Sequence, residues 1–183
     1  YQTAYLKAHY PVEFMAALLT SIMQNTDKVV KYIKECQNIN LKILPPDINE
    51  RLIDFTVVNK DAIRFGLAAV KNVGRAAIEN IIEERTANGH FVSLVDFCRR
   101  VDLKTMNRRV VESLIKCGAF DSTESKRAQL LSILEKAINL GNEMQKDKRN
   151  GQTNIFSLIA ENSQSQQTND IPLPDIEEFS DKE

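Results

Sequence analysis

The sequence predicts a mainly α-helical fold with one short β-hairpin, and three observations point there. Apolar residues recur at three- and four-residue spacing over most of the chain. Six glycines and five prolines among 183 residues are too few for the many tight turns of an all-β fold. The helical stretches are also bracketed by residues suited to starting or stopping a helix, such as Ser93 and Gly118.

The elements follow in order. Pro11 fits the first position of a helix running to Met23, with Phe14, Ala17, Leu18 and Ile22 at helical spacing. Asn25 or Thr26 caps the next helix, whose Val29, Val30, Ile33 and Cys36 line one side and which stops near 38–40. Leu41 to Leu44 is a short extended run halted by Pro45-Pro46. Asp54–Val58 and Ala62–Phe65 form a hairpin around Asn59-Lys60-Asp61. From Gly66 the pattern is helical again: Leu67–Val70, then Arg75–Arg85 with Ile78, Ile81 and Ile82 inward. Leu94–Arg100 follows behind Ser93, and Arg108–Lys116 lies between Asn107 and Gly118. Ser122 or Thr123 opens a long amphipathic helix to about Lys148, with Leu130, Leu131, Leu134, Ile138 and Leu140 as its stripe. After Asn150-Gly151 the chain turns polar and then acidic, with too little apolar surface to fold alone, and is expected to be mobile.

Composition narrows the function classes. At 43% hydrophobic and 27% charged residues the chain is ordinary for a soluble protein, long enough for one sizeable core or two small ones. No apolar run approaches the roughly 18 residues of a membrane span, and no signal peptide opens the chain. It starts at Tyr1 within a helical pattern, as an internal segment of a longer protein would. Cys36, Cys98 and Cys117, odd in number and scattered, are expected as small apolar residues in a reducing compartment. His9 and His90 are isolated, so no metal site is expected. Charge is uneven. Residues 62–118 carry ten basic and six acidic side chains, net +4, whereas 119–183 carry seven and twelve, net -5. A basic middle calls for an anionic partner or is a solvated helical surface.

A repeat concentrates that charge. At an offset of 33, Lys71 meets Lys104, Arg75 meets Arg108 and Glu79 meets Glu112. The apolar pairs Val73/Met106, Ile78/Val111, Ile81/Leu114 and Ile82/Ile115 align as well, so the chain holds two copies of one helix–turn–helix unit. The turn needs residues that tolerate a positive φ, for which Asn72, Gly74 and Asn107 are suited. Each turn leads into a helix N-terminus, whose free N–H groups favour a phosphate. The candidate contact residues are Lys71, Asn72, Val73, Gly74 and Arg75 in the first copy, and Lys104, Thr105, Met106, Asn107, Arg108 and Arg109 in the second. Two such turns side by side would hold the two backbones of duplex DNA without reading sequence, in a salt-sensitive way. The unit looks like the tandem helix-hairpin-helix fold. Its usual turn is Gly-apolar-Gly; the first copy keeps one glycine and the second neither. The alternative is a helical protein-interaction module with no direct DNA contact.

Several segments then resemble one family. Ile63 to Gly74 (IRFGLAAVKNVG), Tyr5 to Leu19, Leu44 to Asn49 and Leu114 to Asp121 are similar, in order, to the C-family replicative polymerases of bacteria, the DNA polymerase III alpha subunits. The resemblance covers nearly the whole chain. It implies that residues 1–61 are the end of the fingers region and 62–121 the tandem helix-hairpin-helix region that holds newly made duplex. Residues 122–150 would be a long helix, and 151–183 a clamp-binding motif with an acidic linker. It implies a cytoplasmic protein with other replicase subunits as partners. The family's palm, with its catalytic magnesium, is expected elsewhere, so no catalytic residue is expected here. The sequence agrees, since no close pair of aspartates lies on a buried strand and the repeated carboxylates Glu79 and Glu112 fit i,i+4 roles on a helix surface. Finally, Gln152-Thr153-Asn154-Ile155-Phe156 resembles the family's clamp-binding pentapeptide. Gln152 would anchor it, and Ile155 and Phe156 would enter a pocket on the sliding clamp.

Overall fold

The structure is a computed structural model that describes residues 2–50, 53–149 and 171–179. It is mainly helical, as expected, and has two hydrophobic cores joined along one side.

The first core lies under helices α1 (Gln2–His9), α2 (Pro11–Ile22) and α3 (Thr26–Asn38). Pro11 stands in the first turn of α2, where its missing N–H costs nothing. Asn25 caps α3, its side chain accepting a hydrogen bond from the Lys28 amide at 3.0 Å. Met15, Leu19 and Cys36 are fully buried together with Ile63 from the sheet below. Val30 departs from the expected inner face: it is 48% exposed, because its neighbour Val29 takes the inward position. Helix α1 buries none of its residues and is joined to α3 by the Lys7–Glu35 ion pair.

The sheet has three strands, β1 (Lys42–Leu44), β2 (Thr56–Asn59) and β3 (Ala62–Arg64), in the order β1-β3-β2. The expected hairpin is β2 and β3, antiparallel, turning where the Asn59 side chain accepts from the Asp61 amide at 3.0 Å. The expected extended run is β1. It pairs parallel with β3, Ile43 opposite Ile63, which makes the hairpin part of a larger sheet. Gly66 follows at a point where a Cβ would lie 2.5 Å from the carbonyl carbon of Asp54, so this crossing admits only glycine.

The second core is wrapped by a 3-10 turn (Leu67–Ala69), α4 (Arg75–Asn88), α5 (Leu94–Arg100), α6 (Arg108–Lys116) and α7 (Arg127–Arg149). Its centre is a run of edge-on aromatic rings, Phe91–Phe97–Phe120, each pair 5.0 Å apart. Ser93 caps α5 by accepting from the Asp96 amide. Gly118 closes α6 with φ +84°. Ile81 is fully buried as expected, while Ile82 packs only partly against this core. Helix α7 passes so close to α5 that a Cβ on Gly141 would meet the Cys98 carbonyl oxygen at 2.5 Å.

Two expectations are corrected at α7. Ser122 and Thr123 do not open it; they form a separate 3-10 turn (Asp121–Thr123), and Glu124 then takes a left-handed φ of +59° before the helix begins. The second concerns the tail expected to be mobile, whose described part is held against the start of α7. Residues 171–179 pack back, and the Glu178 carboxylate accepts from the amides of Arg127 (2.8 Å) and Ala128 (3.2 Å). The Gln129 side chain holds the Pro174 carbonyl at 2.8 Å. A helix start leaves several amides without partners and carries partial positive charge, which an acidic segment close by can satisfy.

A strap joins the two cores. Ile48, fully buried in the second core, donates its amide to the Ala119 carbonyl at 3.0 Å. The buried Arg85 donates to the carbonyls of Ile48 and Glu50. The Asn49 side chain accepts from the Phe91 amide at 2.8 Å and donates to the Phe91 carbonyl at 3.0 Å.

Candidate nucleic-acid interface

The two turns predicted from the repeat are both present, and they differ in how they are made. In the first, Asn72 takes φ +69°, the left-handed conformation that a short amide side chain tolerates. Val73 is buried, and Gly74 forms the N-cap of α4 with φ -81°. Gly74 has nothing within 4 Å of a would-be Cβ, so its value lies in an open surface and not in backbone strain. In the second turn the positive φ expected at Asn107 is absent: Asn107 has φ -66° and caps α6, its side chain accepting from the Val110 amide at 3.1 Å. Asp102 shapes this turn in place of glycine. Its carbonyl accepts from the amides of Thr105 (3.1 Å) and Met106 (3.0 Å) and from the Thr105 hydroxyl. Its carboxylate accepts from the Lys104 amide at 3.1 Å. Met106 is fully buried at the position matching Val73, so both turns are pinned by an apolar side chain pointing inward.

The charged candidates all face water. Lys71, Arg75, Lys104, Arg108 and Arg109 are exposed, as are Asn72, Gly74, Thr105 and Asn107. Among the described residues Lys71, Lys104 and Arg109 make no ion pair. Arg75 pairs with Glu79 at 2.8 Å within α4, and Arg108 reaches Glu135 of α7 at 3.5 Å. Glu112, at the position matching Glu79, pairs with Lys116 at 2.7 Å. The hydrogen bond and charge of Lys116, with Arg108 and Arg109 nearby, hold the Glu112 carboxyl below its ordinary range. Both repeated carboxylates are therefore spent in i,i+4 pairs on a helix surface. Among the described residues no group of three or more His, Cys, Asp or Glu is placed to hold a metal ion. The thiols are free, and burial pushes Cys98 up to about 12 and Cys36 and Cys117 up to about 11, so none is a ready nucleophile. The clamp-motif residues Gln152, Ile155 and Phe156 lie outside the described residues. No helix among the described residues is long and apolar enough to cross a membrane.

Sequence reasoning missed the residues that hold the hairpin units together. Arg100 is one. It donates to the carbonyls of Glu84 (2.9 Å), Gly89 (2.7 Å) and His90 (3.1 Å), pairs with Asp96 at 3.0 Å, and lies 4.3 Å over the Phe91 ring. It thereby fastens the end of α4 to α5. Asn80 and Ser113 are two more. The Asn80 side chain accepts from the Asp102 amide at 2.9 Å, and Asn72 donates to the Ser113 hydroxyl at 3.0 Å. A signal was present in the sequence, since the two stand 33 residues apart in the aligned repeat and both are short and polar.

Two turns at matching places in the repeat, each entering a helix and each flanked by basic side chains, define a tandem helix-hairpin-helix region. The helix-hairpin-helix motif family matches residues 40–130. Relatives are close: DNA polymerase III subunit alpha of Escherichia coli (strain K12) is 48% identical and that of Vibrio cholerae 44%, each over 161 residues, 88% of this chain and 14% of the relative. That of Xylella fastidiosa (strain Temecula1) is 41% identical over 179 residues, 98% of this chain and 15% of the relative. The chain is homologous to the DNA polymerase III alpha subunits and spans about one-seventh of the length of the curated relatives it matches.

Proposed function

We propose that this segment holds duplex DNA without sequence preference and tethers its polymerase to a sliding clamp during replication. The observation that carries the reading is the pair of hairpins, each leading into a helix N-terminus and flanked by exposed cations. Such a surface favours phosphate and offers little with which to read a base edge. The longer protein is, in this reading, a DNA-directed DNA polymerase of the cytoplasm whose magnesium-binding palm lies in another region. The test is binding of the chain to labelled duplexes of two unrelated sequences over a salt series. We expect affinity to fall steeply with salt and to be the same for both duplexes. No binding even at low salt in a folded sample would leave the repeat as a protein-interaction scaffold.

The tether rests on Gln152, Ile155 and Phe156, two adjacent apolar anchors beside a polar one. The Phe156→Ala change is expected to weaken binding to an immobilised sliding clamp at least about thirtyfold, the loss typical of a hot-spot side chain. Unchanged affinity would remove the clamp from the list of partners and leave the DNA reading untouched.

A further inference from the structure

We propose that Asn80 and Ser113 are positioning residues for duplex binding: each, from the helix of one hairpin unit, holds the turn of the other unit, so that the two phosphate contacts keep a fixed spacing. The proposal rests on the DNA reading above. Asn80 is the sixth residue of α4 and Ser113 the sixth of α6. From these equivalent places they make reciprocal bonds. Asn80 accepts from the Asp102 amide of the second turn, and Ser113 accepts from the Asn72 side chain of the first. The Ser113 hydroxyl also donates to the Arg109 carbonyl in its own helix at 2.9 Å, which fixes its direction.

Each bond acts on the least regular residue of the turn it reaches. Asn72 has the positive φ, a backbone state that few side chains adopt and that the Ser113 contact holds in place. Asp102 is the hub that receives four hydrogen bonds within the second turn, so anchoring its amide anchors the whole loop. These ties carry the role that paired glycines would otherwise have in shaping a phosphate-binding turn. A duplex presents its two backbones at a set separation. A protein whose turns wander pays an ordering cost for the second contact, and a pre-set pair does not. Neither residue need touch DNA for this to operate.

The experiment compares wild type, Asn80→Ala, Ser113→Ala, the double Ala variant and Ser113→Thr, which keeps the hydroxyl, all in the full chain. Duplex affinity is measured over a salt series, with thermal melting of each protein alongside. We expect each single Ala variant to lose about fivefold in affinity and to show a shallower salt slope, by about one phosphate. Melting should move by only a few degrees, the double variant should lose the most, and Ser113→Thr should stay close to wild type. A structural bond with no part in positioning would lower melting without changing the salt slope. Wild-type binding with the Ala variants unmoved in affinity and slope overturns this proposal alone. Failure of wild type to bind any duplex overturns the DNA reading first and this proposal with it.

Discussion

Replacing Lys71, Arg75, Lys104, Arg108 and Arg109 together by glutamine is expected to cost roughly 10²–10⁴-fold in duplex affinity at low salt and to flatten the salt dependence by up to about 0.9 per lost phosphate contact. The five stand at two matching sites, and glutamine keeps their length and helix preference. None is buried. The ion pairs that would be lost, Arg75–Glu79 and Arg108–Glu135, are surface pairs in water, so the fold should hardly notice. Stability and binding thus separate in this variant. Fluorescence anisotropy over a salt series, with circular dichroism to confirm helicity, reads both. An unchanged slope in a folded variant would move the DNA face away from the hairpins.

Phe97→Ala should have the largest effect on stability, about 3–5 kcal/mol, which for a chain of this size lowers Tm by roughly 6–20 °C. Phe97 is fully buried, stacks edge-on between Phe91 and Phe120, and lies at the junction of α5 and α7. Its neighbours cannot close on the gap easily, because the backbones there are already at contact distance: α7 needs a glycine at 141 to pass the Cys98 carbonyl. Thermal melting of the variant checks this. A Tm within about 2 °C of wild type would mean that the core relaxes around the hole far more than this geometry allows.

Local chemistry made much of the fold legible. The starts of α3, α5 and α6 were readable because Asn25, Ser93 and Asn107 each satisfy the amide three residues on, a rule that needs no partner from elsewhere. The 33-residue repeat exposed the hairpins because the same buried pattern had to be written twice, with Val73 and Met106 at its inner points. What escaped depends on contacts between distant residues. The pairing of β1 with β3 spans a 20-residue separation, and nothing within Lys42–Leu44 specifies it. The first turn of α7 is set by Glu178, some fifty residues further along. Asp102 escaped because it sits just before the aligned stretch, and its turn does by hydrogen bonding what glycine would do by freedom of φ. In the interface itself, the charged residues could be read because charge shows in a sequence. The residues that hold the hairpin units together, Asn80, Ser113 and Arg100, could not be read one at a time.

The strap over residues 47–50 has a consequence for cooperativity. Ile48 is inside the second core, its amide is paired with Ala119, and its carbonyl with the buried guanidinium of Arg85. Yet it is carried by the same stretch of backbone that leaves β1, only four residues earlier. Peeling the strap away would break the bonds from Arg85 to the Ile48 and Glu50 carbonyls and open a space the size of an isoleucine in the second core. The sheet lobe and the hairpin lobe are therefore expected to open together, with the slow-exchanging amides of both halves sharing a single protection energy.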